Sequence, residues 1–358
     1  RNPRCCVAGA DRCMFIQRVL LGLLACSTSA QHISNRHTRQ HLVYLNEAWH
    51  LSDAGRQLLM PDVLTESLLQ SWGSDGSNSG ADYTEGVLVH WTSGFFGNVR
   101  AKQLTAEQCE IPCGQATYPA SQATVDRADV LVSFPIAEAP PKNKRGAPAL
   151  AFTMEAAGLY GSGNSFRYDG TSNVSVLSTV PWPYFGLNSW REIQQRYRGP
   201  ERDRLFPGFK DRLPAAVFVA RNCNGVLRNA MVMELAKRGV PIHSVSDCAP
   251  GGTRQAWPSD VPREDKLGLL RKYRVYLALE NAVQESYVSE KAIDGFAAGA
   301  VPLYMGAPNA ADYVPESFIS ANAAALASWQ AKSQAYDALA EKVKAALHDE
   351  GTWQGYMA

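Results

Sequence analysis

The sequence predicts an α/β protein of two domains, the first a helix-covered sheet and the second a parallel, Rossmann-like one. Three observations carry this. The chain has 358 residues, enough for two domains at roughly 150 residues each. Its strand-length apolar runs are near-continuous rather than alternating, as strands covered on both faces require. In the second half, two such runs each lead through a polar loop into a helix and on to another strand. Composition agrees: 46% hydrophobic and 19% charged residues exclude general disorder, collagen and coiled coil. With 35 Lys+Arg against 34 Asp+Glu the net charge is +1, so no chain-wide field favours nucleic acid, which is not expected as a partner.

The elements follow in order. The sequence starts at Arg1 and its first methionine is Met14; residues 1–13 are set aside from fold reasoning. From Met14, Arg18 precedes the apolar run Val19 to Cys26 and the small residues Thr28-Ser29-Ala30, the pattern of a secretory signal. The run is shorter than the ~20 residues of a comfortable membrane span, and a shortened anchor or a buried helix are the other readings of 1–30. Residues 31–85 are mixed and polar, with Trp72 to Gly80 lacking periodicity, and read as an irregular stem. The first domain, 86–196, contains the apolar runs Gly86 to Trp91, Ala128 to Phe134, Pro148 to Met154 and Val174 to Val180, each expected as a strand. Residues 197–213 are charged and carry Pro and Gly, hence a linker.

The second domain, 214–358, is patterned more cleanly. Ala215 to Ala220 reads as a strand, Leu227 to Arg238 as a helix stopped by Gly239, and Pro241 to Val245 as the next strand. The unit repeats with strand Arg274 to Leu279, helix Ser289 to Ala298 closed by Gly299, and strand Val301 to Tyr304. Ala321 to Leu347, rich in Ala, Lys and Glu, is expected to be helical.

In open α/β sheets ligands bind beyond the carboxyl ends of the strands, which directs attention to the loop LENAVQESYVSEK, Leu279 to Lys291. It places Glu280 and Asn281 at a strand end, Tyr287 and Val288 just before a helix, and Ser289, Glu290 and Lys291 in its first turn. Free N–H groups and the positive dipole end of such a turn attract phosphate, and Lys291 adds a full charge. Arg228, opening the preceding helix, has a fork suited to bidentate phosphate binding. The plain alternative is that Ser289 caps the helix while Glu290 and Lys291 are solvated. No G-x-G-x-x-G follows a strand and no Walker loop occurs, so NAD-dependent redox and P-loop chemistry lose their signatures. Asp-x-Asp is absent as well. Arg228 and Lys291 are therefore expected to neutralise a diphosphate leaving group without a required cofactor, a divalent cation (Mn or Mg) at most stimulating.

Cys109 and Cys113 form a C-x-x-x-C pair, and Cys223 and Cys248 lie in the second half. In an oxidising lumen these read as disulfide cysteines of open connectivity rather than zinc ligands, since no His or Cys stands at zinc-site spacing around them. Asn173-Val174-Ser175 is an N-glycosylation acceptor sequence and agrees with a secretory route.

Lys272 to Ile319, KYRVYLALENAVQESYVSEKAIDGFAAGAVPLYMGAPNAADYVPESFI, closely resembles the donor-binding signature of the α1,3-fucosyltransferases, with its LEN, YVSEK, G-x-VP and GAPN elements. AVFVARNCNGVLRNAMVMEL, Ala216 to Leu235, resembles the preceding motif of that family. TMEAAGLY, Thr153 to Tyr160, and VPWPYFG, Val180 to Gly186, resemble its plant-type core enzymes, as does the cysteine pair at 109 and 113. The likeness covers roughly residues 86 to 335. Two departures stand out: Leu177-Ser178-Thr179-Val180-Pro181 lacks the Asp usual there, and Ala156-Ala157 replaces the commoner Ser-Pro or Ser-Ala.

The resemblance implies a GT-B architecture, two Rossmann-like domains facing a cleft, with GDP-fucose on the C-terminal domain and the acceptor on the N-terminal one. It implies inverting transfer of fucose to the 3-hydroxyl of an N-acetylglucosamine on an N-glycan or glycoprotein, the Asn-linked core sugar first and an antennary one as the alternative. The base of the family matches Glu155, whose plain reading is a capping or surface carboxylate. Glu290 would stabilise oxocarbenium character, Lys291 and Arg228 would hold the diphosphate, and Glu280, Asn281, Tyr287, Val288 and Ser289 would shape the donor pocket. The implied location is the Golgi lumen, with membrane association through the N-terminal apolar segment. A homologue that binds nucleotide sugar or glycan without turnover, and a transferase of another GDP-sugar, are the opposing hypotheses.

Overall fold

The computed structural model describes residues 87–92, 102–104, 113–116, 122–133, 140–156, 168–175, 178, 180–181, 184, 187–223, 225–314, 317–321 and 332–357. The segment 14–30, the stem, Cys109 and residues 157–160 lie outside them. The chain divides into two compact units between Asn188 and Ser189, each with its own sheet.

In the first unit the strands are β1 (Val87–Trp91), β2 (Lys102–Leu104), β3 (Cys113–Ala116), β4 (Val130–Ser133), β5 (Ala149–Thr153), β6 (Gly170–Asn173) and β7 (Val180–Pro181). They stand in the order β2-β3-β1-β4-β5-β6-β7, parallel throughout except for the antiparallel β2–β3 pair. All of β4 and the first four residues of β5 are buried, the outcome expected of continuous apolar runs in a parallel sheet. Helix α1 (Gln122–Arg127) leads into β4. Carboxylates anchor two strand starts: Asp129 accepts from the Leu88 amide at 2.9 Å and Asp169 from the Ala149 amide at 2.8 Å.

The strand expected over Val174 to Val180 is not formed. The paired residues are Gly170–Asn173, immediately upstream, and Val180–Pro181. Between them short polar side chains capture the backbone: Asn173 Oδ1 accepts from the Ser175 amide at 2.9 Å, and Ser178 Oγ donates to the Ser175 carbonyl at 2.8 Å. Such local bonds compete with a ladder and turn the chain, although Val174 stays buried.

In the second unit β8 (Leu213–Phe218), β9 (Ile242–Ser244), β10 (Tyr273–Leu279), β11 (Val301–Met305) and β12 (Ile319–Ser320) form a fully parallel sheet in the order β12-β11-β10-β8-β9. Helices α2 (Leu187–Arg198) and α3 (Arg202–Leu205) precede it; α4 (Val226–Lys237), α5 (Lys266–Arg271) and α6 (Glu290–Ala298) connect its strands, and α7 (Lys332–His348) and α8 (Glu350–Met357) close the chain. One core joins Phe218, Leu277 and Leu303 of the strands to Met231 and Leu235 of α4, Leu339 and Val343 of α7, and Trp353 of α8. On β10, alternate residues Val275, Leu277 and Leu279 enter this core, while Tyr276, between them, lies under Lys266 of α5. The sheet is thus covered on both faces.

Within the stretch 197–213, read as a linker, α3 and a 3₁₀ turn at Phe209–Asp211 pack onto this unit. Arg212 is buried, its guanidinium donating to the carbonyls of Pro207, Tyr273 and Ala298 at 2.8, 3.2 and 3.1 Å. Burial lowers its pKa to about 10, with Arg271 adding to the effect. Cys223 and Cys248 are joined, with Cα atoms 5.3 Å apart, which ties the loop after β8 to the loop after β9. Among the described residues no helix is long and apolar enough to cross a membrane.

Candidate functional site

Numbered from its own first strand, the second sheet has the order 2-1-3-4-5. Chain direction across the sheet therefore reverses between β8 and β10, and a crevice opens beyond their carboxyl ends. Arg228, in the first turn of α4, follows β8; Glu280 follows β10 directly. The residues singled out in the second domain thus gather around one switch point.

Glu280 is 1% exposed. Its Oε1 accepts from the Ser289 amide at 2.8 Å and its Oε2 from Ser289 Oγ at 2.7 Å, with Lys291 Nζ 3.4 Å from Oε2. Ser289 is extended and caps α6, its Oγ accepting from the Lys291 amide at 3.4 Å and from Lys291 Nζ at 2.9 Å. The capping reading of Ser289 is realised, but Glu290 and Lys291 are not simply solvated: Lys291 Nζ lies 3.1 Å from Glu290 Oε1. Burial pushes the Glu280 carboxyl up, with Lys291 opposing. Burial also disfavours ionised Glu290, yet Lys291 and Lys266 outweigh it and bring its pKa down to about 2. For Lys291, the pull of Glu290 and Glu280 overcomes burial and raises its pKa.

Arg228 differs from these. It is 3% exposed, and its Nε and Nη2 make no hydrogen bond among the described residues. Burial lowers its pKa, with Glu280 the strongest opposing influence. A buried guanidinium with two unused donors costs several kcal/mol of desolvation, and an anion seated in the crevice would supply the missing acceptors.

The loop 280–289 is braced from beneath. Tyr287, itself buried, donates from its hydroxyl to Asn281 Oδ1 at 2.9 Å, and the Val288 amide donates to the Ser286 carbonyl at 3.1 Å. Ser286 adopts φ +67°, a conformation that costs about 1–3 kcal/mol for a residue with a side chain. Asn309 holds it there, accepting from the Ser286 amide at 2.7 Å. Gly306 explains another element of the motif: a Cβ on it would come within 2.5 Å of Glu280 Cγ, so GAPN opens with the residue that lets β11 pass the buried carboxylate.

Glu155 stands in the first unit, in the bend that ends β5, at the ligand end of its strand. Its amide donates to Thr153 Oγ1 at 3.0 Å, and it is partly buried. The structure therefore brings Arg228, Glu280, Asn281, Tyr287, Val288, Ser289, Glu290 and Lys291 together, with Glu155 in the other unit. Sequence reasoning missed four participants. Asn309 lies in the quoted motif without an assigned role, and Asp294 is one helical turn beyond Glu290. Lys266 and Tyr304 carry no local signal; the Tyr304 hydroxyl donates to the Tyr287 carbonyl at 3.4 Å.

Residues 209–346 match the model described as glycosyltransferase family 10 (fucosyltransferase), C-terminal. A fucosyltransferase-like protein of Arabidopsis thaliana is 29% identical over 180 residues, 49% of this chain and 31% of that protein. The α-(1,3)-fucosyltransferase FucT of Helicobacter pylori is 33% identical over 122 residues, 34% and 22% of the two chains. GDP-fucose protein O-fucosyltransferase 3 of Xenopus laevis is 32% identical over 112 residues, 30% and 24%. The matched segments thus span less than a third of each relative's length. A crystal structure of an α1,3-fucosyltransferase with GDP-fucose aligns over 81% of this chain and 86% of its own, with 15% identity and a TM-score of 0.48.

Proposed function

We propose, from the glycosyltransferase family 10 (fucosyltransferase) domain that residues 209–346 constitute, that the chain is an inverting α1,3-fucosyltransferase using GDP-fucose. The observation that carries the donor reading is buried Arg228 with two unused donors, across the switch point from the α6 amino terminus. A diphosphate there would meet the guanidinium fork, Lys291 and the dipole end of α6. In the reaction the 3-hydroxyl oxygen of an N-acetylglucosamine bonds to the anomeric carbon as its bond to GDP oxygen breaks. The hydroxyl proton passes to the Glu155 carboxylate, and the departing negative charge is received by Arg228 and Lys291. Glu290, a fixed anion, stabilises positive charge developing on the sugar ring.

The acceptor we propose is the Asn-linked core N-acetylglucosamine of a glycoprotein N-glycan, with the Golgi lumen as the site of action. The Cys223–Cys248 disulfide supports an oxidising compartment. Incubation with GDP-fucose and defined N-glycans, core-only and antennary, followed by linkage analysis, tests the proposal. Fucose α1,3-linked to the core sugar is the expected product. Antennary product would move the acceptor assignment, product from GDP-mannose alone would move the donor, and nucleotide binding without any product would leave a binding protein.

Because basic side chains are placed to neutralise the leaving group, activity should persist largely intact in EDTA. A loss that is complete and reversed by Mn or Mg would show that a cation, rather than Arg228 and Lys291, carries that charge.

A further inference from the structure

The Glu290 carboxylate is shared between two helices. Its Oε1 lies 3.1 Å from Lys291 Nζ on its own helix and 4.0 Å from Lys266 Nζ on α5. Lys266 is held in turn, its ammonium 2.6 Å from Asp294 Oδ2 and 5.6 Å above the Tyr276 ring. With Arg228 and Glu280 these groups form a series of alternating sign: Arg228, Glu280, Lys291, Glu290, Lys266, Asp294. Its outer end, Lys266 and Asp294, has no place in the reaction described above. Yet Lys266 is three-quarters buried, and the pair sits directly behind the carboxylate assigned to the sugar cation.

We propose that Lys266, locked in place by Asp294, is a positioning residue for Glu290, fixing its carboxylate in one rotamer before charge develops on the transferred sugar. The proposal rests on the fucosyl-transfer reading for its chemistry and on the ion-pair geometry for its mechanism. An electrostatic stabiliser acts in proportion to how little it must reorganise during the reaction. A carboxylate held by Lys291 alone can swing about its side-chain torsions; a second ammonium from another helix removes that freedom. Both lysines reach the carboxylate through Oε1, and the Glu290 side chain remains 40% exposed. The groups acting on Glu290 are Lys291 and Asp294 from α6, Lys266 from α5, Tyr276 from β10, and Glu280 beyond its end. Their balance lowers its pKa to about 2, so it is ionised at every working pH, and removal of Lys266 must raise that value.

The test uses the full chain with Lys266→Met, Lys266→Gln and Lys266→Arg. Transfer from GDP-fucose gives kcat and KM, and carboxyl-carbon NMR follows the titration of Glu290, assigned with Glu290→Gln. Lys266→Met is expected to lower kcat by about 10- to 100-fold with KM and GDP affinity unchanged, and to move the Glu290 midpoint upward. Lys266→Arg should restore most of kcat. Lys266→Gln keeps a donor for Asp294 without the charge, and serves if the Met variant does not fold. Wild-type kcat in a folded Met or Gln variant, an equal loss in GDP affinity, or an unmoved Glu290 midpoint would overturn the proposal. If the wild-type protein transfers no fucose, the functional reading fails, and the titration alone decides whether Lys266 controls Glu290.

Discussion

Glu155→Gln should transfer fucose roughly 10²- to 10⁴-fold more slowly than wild type while binding GDP as before. A sugar hydroxyl becomes a competent nucleophile only as its proton leaves, and an amide of the same size cannot take that proton. The position supports the role: Glu155 ends β5 of a parallel strand array, where ligands of such sheets bind. Its anchoring bond runs through the backbone, from its amide to Thr153 Oγ1, so the substitution leaves that bond intact. Transfer rate, GDP affinity and melting temperature measured on one preparation decide the matter. Near-wild-type transfer with unchanged GDP affinity would make Glu155 structural and send the search for a base to another carboxylate.

Arg228→Met should weaken GDP binding by about 10- to 100-fold, the loss of a charge-assisted contact of ~1.5–3 kcal/mol. It should do so without lowering the melting temperature of the ligand-free protein. The substitution removes a buried guanidinium whose two unused donors contribute no bond to the ligand-free fold, and Glu280 beside it keeps the Ser289 amide, the Ser289 hydroxyl and Lys291 as partners. Lys291→Met provides the contrast. Lys291 is the nearest cation to both Glu280 and Glu290, so its removal leaves Glu280 with only its Ser289 bonds and Glu290 with only Lys266, and lowers stability together with donor binding. An Arg228→Met protein that melts several degrees lower yet binds GDP normally would make the guanidinium a structural element.

Legibility in the sequence followed the range of the forces involved. The β8–α4–β9 and β10–α6–β11 units were readable to within about two residues, because apolar runs, the Ser289 cap and the Gly299 stop all act locally. The run from Val174 to Val180 misled for the same reason. Its valines favour a strand, but Asn173 and Ser178 offered the backbone nearer partners. Glu280 stood out as a strand-end carboxylate, whereas its occupation by Ser289 nine residues away depends on how the loop closes. Lys266 was invisible because its partners, Glu290 and Asp294, are brought to it only when α5 packs beside α6.

The alternating series has a consequence for kinetics. Arg228, Lys291 and Lys266 cancel Glu280, Glu290 and Asp294 in formal charge, so this group of side chains has no monopole, and the chain as a whole carries only +1. A field built from paired charges decays well within the ~8–10 Å that physiological salt allows an unpaired charge to reach. An anionic nucleotide sugar therefore gains little acceleration from long-range steering by these six groups. Its encounter rate should be nearly insensitive to ionic strength, and discrimination falls to contacts made after arrival, where Arg228 offers its unused Nε and Nη2 donors to the phosphate oxygens of the incoming molecule.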